Sequence, residues 1–572
     1  MNQSALIQSL PEHLRGFVQY QDYSRYTPQD HALWRCLMAQ LSERLQQTAH
    51  AVYMDGLRLT GISLDHIPSI EEMNEALAAL GWRAVVVDGF IPPAVFMEFQ
   101  ALRILVIALD MRAVEHTLYT PAPDILHEAA GHAPFIVDVD YAEFLQLFGE
   151  VGMRAIASKE DHAVYDAIRA LSDLKACANG TPADIAEAEA RLEAVTAANT
   201  ELSEAALLAR LHWWTVEYGL VGAVDDYRIF GAGLLSSLGE SVHCLDDDAV
   251  QKLPLTVDAI NTAYDITREQ PQLFVTSSCK HLSQVLREFA NSMAYQQGGL
   301  AGLQKAIAAA SVCTAQYQSG LQVSGRFCDV RADAVGNVIW LRTEGPTQLA
   351  YQESQLPGHG TQAHASGFSS PVGLVKDFSR CLSEYSVDEL KAHGIVVGDS
   401  VRLAFLSGIT VSGKLVGIHR QDQRNLVFSF ENCTATDLAG DVLYRPEWGV
   451  FDMAVGARIP SVFGGSADRA AYPLHTPPAS HREPILPAQD DALLGTYAAI
   501  DAVVRGNRSL EAGQLEAWAR VAQRYPDEWL LRVEFLRLEG SVGGVGLLKG
   551  RARSELETIL QSKPALAATL RF

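Results

Sequence analysis

Cysteine is scarce in this 572-residue chain: there are eight, at Cys36, Cys177, Cys244, Cys279, Cys313, Cys328, Cys381 and Cys433. No two form C-x-x-C, which argues against a thiolate zinc site or a disulfide framework. They read as reduced thiols, mostly buried small hydrophobes, in a cytoplasmic protein. Long apolar runs are also lacking, so no transmembrane helix is expected. Positive charge is in deficit: 45 Lys and Arg against 68 Asp and Glu give a net charge of −23. That balance argues against non-specific affinity for nucleic acid or an anionic membrane. The start, "MNQSALIQSLPEHLRG", has no basic region followed by an apolar stretch, so no secretory signal is expected. No useful internal repeat is present. What remains is an ordinary globular composition, 48% apolar and 20% charged, long enough for two to four domains. Nothing in it excludes an oligomer.

The texture of the chain divides in three. Residues 1–300 read mainly helical. "SIEEMNEALAAL" (69–80) opens with Ser-x-x-Glu and has helical apolar spacing. "AVFMEFQALRILVIAL" (94–109) is apolar nearly all round, which predicts a buried helix. "TPADIAEAEARLEAVTAA" (181–198) predicts a surface helix capped by Thr181. Residues 301–475 carry strand alternation. A hairpin is expected around Gly336-Asn337, strands over 400–420 and 425–433, and a flexible loop over "QLPGHGTQAHASGFSSP" (355–371). Residues 476–572 read as a Pro-rich linker, within "YPLHTPPASHREPILPAQ" (472–489), and a short helical tail. The expected fold is therefore multidomain: a mainly α domain, a β-rich domain and a helical tail.

The chemistry-bearing stretch is "PDILHEAAGHAPF" (123–135). His127 and His132 are five apart, about 140° around an unbroken α-helix, so they face one metal only if the helix is interrupted. Gly131 offers an interruption, because glycine readily takes the left-handed conformation that ends helices. Pro123 and Asp124 then read as the helix start, His132 as part of the exiting loop, and Pro134 as a bar to further helix. Two imidazoles leave a divalent ion under-ligated. A carboxylate would complete the two-His, one-carboxylate face used by non-haem iron(II). Glu217, in the aromatic segment "LHWWTVEYGL" (211–220), is the candidate, because a buried carboxylate there needs a partner.

Taken together, four segments resemble the tetrahydropterin-dependent aromatic amino acid hydroxylases. They are "GFIPPAVFMEFQALRIL" (89–105), "YTPAPDILHEAAGHAPF" (119–135), "WWTVEYGL" (213–220) and "FGAGLLSSLGE" (230–240). The resemblance spans about residues 15–295. It implies iron(II) held by His127, His132 and Glu217. It implies tetrahydrobiopterin, or a related tetrahydropterin, against Phe96 and Glu128. Arg112 matches the arginine that holds the substrate carboxylate, a task suited to its planar fork. Thr120 and Ser236 match positions adding hydrogen bonds there. Pro123, Trp213 and Tyr218 match the ring pocket, with Glu240 behind them.

The implied reaction is hydroxylation of an aromatic amino acid by O2, with phenylalanine to tyrosine preferred. Val275 stands where tyrosine-specific members tend to have an acidic residue. Tryptophan is the alternative substrate; a zinc hydrolase and a non-catalytic binding protein are the alternative classes. The chain departs from the familiar members in three places: extra helical sequence at about 158–205, "PPAV" (92–95) in the pterin loop, and Val106 where animal enzymes have a histidine. The whole chemical site is expected within residues 1–300, as a domain able to fold alone.

Overall fold

The structure, a computed structural model, describes residues 2–118, 123–176, 181–265, 268–477, 491–539 and 544–570. The first half is organised around the helix Pro28–Thr48, which opens with a capping box between Thr27 and Asp30 and has proline in its first turn. Trp34, Leu37, Leu41 and Leu45 point from it into the main core.

The apolar stretch 94–109 is not one helix. A helix runs over Pro93–Ala101, the chain turns at Arg103 with φ of 57°, and strand β2 follows at Ile104–Ala108. β2 pairs in parallel with β1, Arg83–Val87. The stretch is apolar all round because β2 separates two cores. Ile104 and Val106 face a small core with Leu6, Phe17 and Phe99, while Leu105 and Ile107 face the main core. Alternate residues of a strand point to opposite faces, so a strand covered on both sides has no polar face to reveal its period.

A second sheet makes the first half mixed rather than purely helical. Strands β3 (Leu220–Ala223), β4 (Asp226–Ile229), β5 (Gln251–Pro254) and β6 (Gln272–Thr276) lie in the order β4-β3-β6-β5. The β3–β4 pair is antiparallel; β6 runs parallel to both β3 and β5. Within 158–205 lie two helices packed on each other, Lys159–Ala176 and Pro182–Ala198. The second has a Thr181–Asp184 capping box and buries none of its residues.

The β-rich part holds two sheets. The first contains β7 (Val312–Gln316), β8 (Leu321–Ala332), β9 (Val338–Tyr351), β10 (Ser354–Gln355) and β11 (Ser369–Pro371). The second contains β12 (Ser400–Ala404), β13 (Thr410–Gln421), β14 (Arg424–Thr436), β15 (Val442–Tyr444) and β16 (Phe451–Ala454). Strand β17 (Ser461–Gly464) returns to the first sheet beside β7. The β8–β9 hairpin turns where expected. Asp333 accepts from the Val335 and Asn337 amides there, and Gly336 takes φ of 90°. The loop 355–371 is anchored rather than free: β9 amides of Leu349 and Thr347 donate to the carbonyls of His359 and His364.

Residues 478–490, most of the Pro-rich stretch, lie outside the described residues. The helices beyond them make up the helical tail, which packs back on the first half. Asp491–Val504 and Trp529–Leu536 pack on Pro28–Thr48, and Tyr497, Ile500, Leu530 and Leu531 join the main core of the first half. At that seam the buried Arg35 guanidinium meets Glu534 at 2.7 Å and Asp501 at 3.0 Å.

Candidate active site

The five-residue histidine spacing has a different solution from a break at Gly131. Leu126–His132 forms a π-helix. Its i→i+5 hydrogen bonding stacks residues five apart on one face. Gly131 is absent from the residues with positive φ. Its role is close approach: a Cβ there would lie 2.9 Å from the Cβ and carbonyl oxygen of Ala232. His132 is therefore on the helix rather than on an exiting loop. Pro134 does not stop helical structure either; it sits in the first turn of a 3-10 segment, Ala133–Val137, where its missing N–H costs nothing. Glu217 ends a second π-helical turn, Trp213–Glu217, which continues the helix Glu204–His212.

The two π-turns bring three side chains together. His127 Nε2 is 3.2 Å from His132 Nε2 and 3.2 Å from Glu217 Oε2; His132 Nε2 is 3.4 Å from Glu217 Oε1. Neighbouring ligands on one octahedral face, with bonds of about 2.0–2.2 Å, are about 3 Å apart. All three side chains are nearly buried. Glu128 also approaches, with Oε2 at 3.8 Å from His132 Nε2, farther than Glu217. Burial, opposed by His127 and helped by the Glu217 and Asp124 charges, pushes its carboxyl up to about 8. Glu217 differs. Burial opposes its charge, yet His132 and His127 hold it well below the usual carboxylate range. Burial alone would lower His127, but Glu217, Glu128 and Asp124 lift it to about 9. Burial takes His132 down to about 3, against the pull of Glu217. The donor set of two imidazoles and one charged carboxylate fits a non-haem divalent iron.

Around the triad the side chains are held in turn. Ser236 Oγ donates to the Ala232 carbonyl at 2.8 Å. It lies 3.0 Å from His127 Nδ1. Nδ1–H therefore donates to Ser236, which turns the Nε2 lone pair toward the other ligands. Ser236 thus sits behind His127. Arg112 is buried, and its Nε and Nη2 donate to Asp124 Oδ2 and Oδ1 at 2.7 and 2.8 Å. That edge of the fork is filled, and Nη1 donates to the Ser236 carbonyl at 3.4 Å. Asp124 also accepts from the backbone amide of His127. One carboxylate therefore joins the arginine to the π-turn.

Trp213 stacks between Tyr218, at 4.6 Å between ring centroids, and Tyr264, at 4.4 Å. The Tyr218 hydroxyl donates to Glu240 Oε2 at 3.2 Å, and burial pushes Glu240 up to about 7. Phe96, on the helix Pro93–Ala101, meets the His212 ring edge-on at 6.1 Å. His212 Nδ1 lies 3.7 Å from Glu217 Oε1. Pro123 is exposed, and Thr120 lies outside the described residues. Sequence reasoning missed Asp124 as the arginine's partner, and missed His212 and Tyr264 altogether. Only the aromatic density of 211–220 signalled His212; nothing local signalled the other two, which arrive from separate elements.

Comparison with known proteins bears directly on this geometry. Residues 19–168 and 178–297 match the family described as biopterin-dependent aromatic amino acid hydroxylase. The phenylalanine-4-hydroxylase of Chromobacterium violaceum is 30% identical over 268 residues, covering 46% of this chain and 75% of that protein. The phenylalanine-4-hydroxylase of Ralstonia nicotianae is 31% identical over 273 residues, covering 47% of this chain and 73% of that protein. A crystal structure of the Chromobacterium violaceum phenylalanine hydroxylase with bound oxidized Fe(III) aligns over 51% of this chain and 92% of its own. Its TM-score is 0.39 at 26% identity. The chain belongs to the biopterin-dependent aromatic amino acid hydroxylases. The zinc hydrolase and the non-catalytic binding protein are thereby set aside.

Proposed function

We propose that this chain hydroxylates the ring of L-phenylalanine to L-tyrosine, using O2, iron(II) and a tetrahydropterin. The observation that carries the reading is the convergence of His127, His132 and Glu217 on one point. The relatives at 30% and 31% identity, both named phenylalanine-4-hydroxylase, support the substrate. Val275 is consistent with it: it is buried in β6, so no acidic side chain stands at that position.

His127, His132 and Glu217 would hold the iron, which supplies oxygen activation together with the reduced pterin. The protein's own side chains do the rest. Arg112, held rigid by Asp124, presents Nη1 to the substrate carboxylate. Trp213, braced between Tyr218 and Tyr264, offers an apolar wall to the substrate ring. Phe96 gives the pterin a face to stack on. Glu128, whose carboxyl is raised by burial, lies beside the triad to hydrogen-bond the pterin ring. Burial of these groups keeps water out of the site and fixes the reactants in one orientation.

Seven described cysteines are free thiols, which supports a reducing, cytoplasmic setting. No helix among the described residues is long and apolar enough to cross a membrane. The test is product identification with iron(II), tetrahydropterin and each aromatic amino acid in turn. Tyrosine formed from phenylalanine, matched to pterin consumed, is expected. Turnover of tryptophan alone would overturn the substrate assignment.

A further inference from the structure

The β-rich part contains a second set of converging donor atoms, remote in sequence from the triad. His359 Nδ1 and His364 Nε2 are 3.2 Å apart. Asp452 Oδ2 lies 3.8 Å from the first and 3.9 Å from the second. These last two distances are too long for hydrogen bonds. The two rings therefore do not satisfy the carboxylate; without an ion one ring nitrogen can donate to the other, and with both deprotonated the three atoms surround one point. That point is about 2.1 Å from each atom, the length of a Zn–N or Zn–O bond. We propose that His359, His364 and Asp452 form a second divalent metal site, with zinc as its ion and a fourth position open to water or His419.

Four features of the surroundings support a built site. Both histidines are fixed by their backbones to β9, through the Leu349 and Thr347 amides. Asp452 Oδ1 accepts from Ser429 Oγ at 2.5 Å, so the carboxylate is oriented with Oδ2 toward the rings. This is the supporting hydrogen bond that metal-binding carboxylates usually have. His419, on β13, meets the His359 ring edge-on at 5.8 Å between centroids. Finally, the group is mostly buried.

The site has a structural consequence. His359 and His364 belong to the loop between β10 and β11 in the first sheet, and Asp452 belongs to β16 in the second. An ion there ties the two sheets and pins a loop that by composition alone would be free. Imidazole and carboxylate ligands in a three-plus-one arrangement suit zinc. Lacking thiolates, the site would have gone unseen in a search for cysteine clusters.

The experiment uses the full chain, stripped with chelator, equilibrated with Zn2+ and desalted, with metal counted by mass spectrometry. Two zinc ions per chain are expected, one at the triad and one here. His364→Gln and Asp452→Asn should each lower the count to one and abolish the Zn2+-induced rise in melting temperature that belongs to this site. The iron-dependent activity of these two variants should be unchanged. A wild-type count of one, with the zinc lost on His132→Ala, would overturn the proposal. So would a wild-type count retained in either variant with an unchanged circular dichroism spectrum. The wild-type count is decisive even if a variant fails to fold.

Discussion

Arg112 illustrates how a residue identity can be legible while its geometry is not. The arginine was readable as a carboxylate holder, but the fork that suits a substrate is filled along one edge by Asp124. Residues twelve apart were brought together by the fold, and no local pattern announces such a pair. Arg112→Ala should raise the KM for the amino acid at least tenfold, the effect of losing a charge-assisted contact of about 1.5–3 kcal/mol. An unchanged KM in a variant that melts like the wild type would assign the substrate carboxylate to another cation. Glu240 makes a prediction about pH. Burial raises its carboxyl to about 7 from an unfolded value of 4.5, so between those values the folded chain binds a proton that the unfolded chain has released. Its contribution to stability is fully present below about pH 4.5 and lost as pH rises through 7, about 3 kcal/mol in all. Denaturant midpoints of wild type and Glu240→Gln, measured at pH 5 and pH 8, should diverge: the wild type falls more on going to pH 8. Parallel midpoints would show that Glu240 titrates as an ordinary carboxyl.

At the scale of elements, the π-turns decide whether His127, His132 and Glu217 meet. The i, i+5 spacing of His127 and His132 said that an ordinary helix could not serve. It did not distinguish a broken helix from a widened one, because glycine and proline nearby are compatible with both. The neighbour that selects the widened form is remote: Ala232 packs against Gly131 with no space for a Cβ. Gly131→Ala should push the helical turn Ala232–Leu235 outward and draw Ser236 from His127 Nδ1. Iron affinity should fall about 10- to 100-fold, as when a ligand's hydrogen-bond partner is removed, with a loss of about 1–3 kcal/mol in stability. Iron titration and a thermal melt check both, and wild-type values in both would show that the close approach is not needed. Strand β2 teaches a related lesson. Its apolar residues had no polar counterpart to set the period, so 104–108 read as helix although Ile104, Val106 and Ile107 are β-branched or strand-compatible.

For the whole molecule, the tail helices pack on the first half, so the parts are not independent. The hairpins and strands of 321–436 were readable from alternation and turn residues. The docking of Asp491–Val504 and Trp529–Leu536 on the first half was not, since an amphipathic helix does not name the surface it covers. Every described residue placed around the triad, from Phe96 to Tyr264, precedes residue 300. Yet the core they rest on is completed by Tyr497, Ile500 and Leu530. Arg35 also loses its buried partners if the tail is removed. A chain ending at residue 305 should therefore melt at a lower temperature than the full chain, because truncation exposes the apolar surface that Tyr497, Ile500 and Leu530 cover. Adding residues 306–572 in trans should restore melting temperature and turnover together. A truncated chain that melts and turns over like the full protein would show that the seam contributes nothing.

The central claim, that His127, His132 and Glu217 are the iron ligands of an aromatic amino acid hydroxylase, is tested most directly by iron content and coupled product formation in the three single alanine variants. Each should lose the bound iron(II) and form no hydroxylated amino acid, while Glu128→Gln keeps its iron. Full iron occupancy and product formation in any one of the three alanine variants would contradict it.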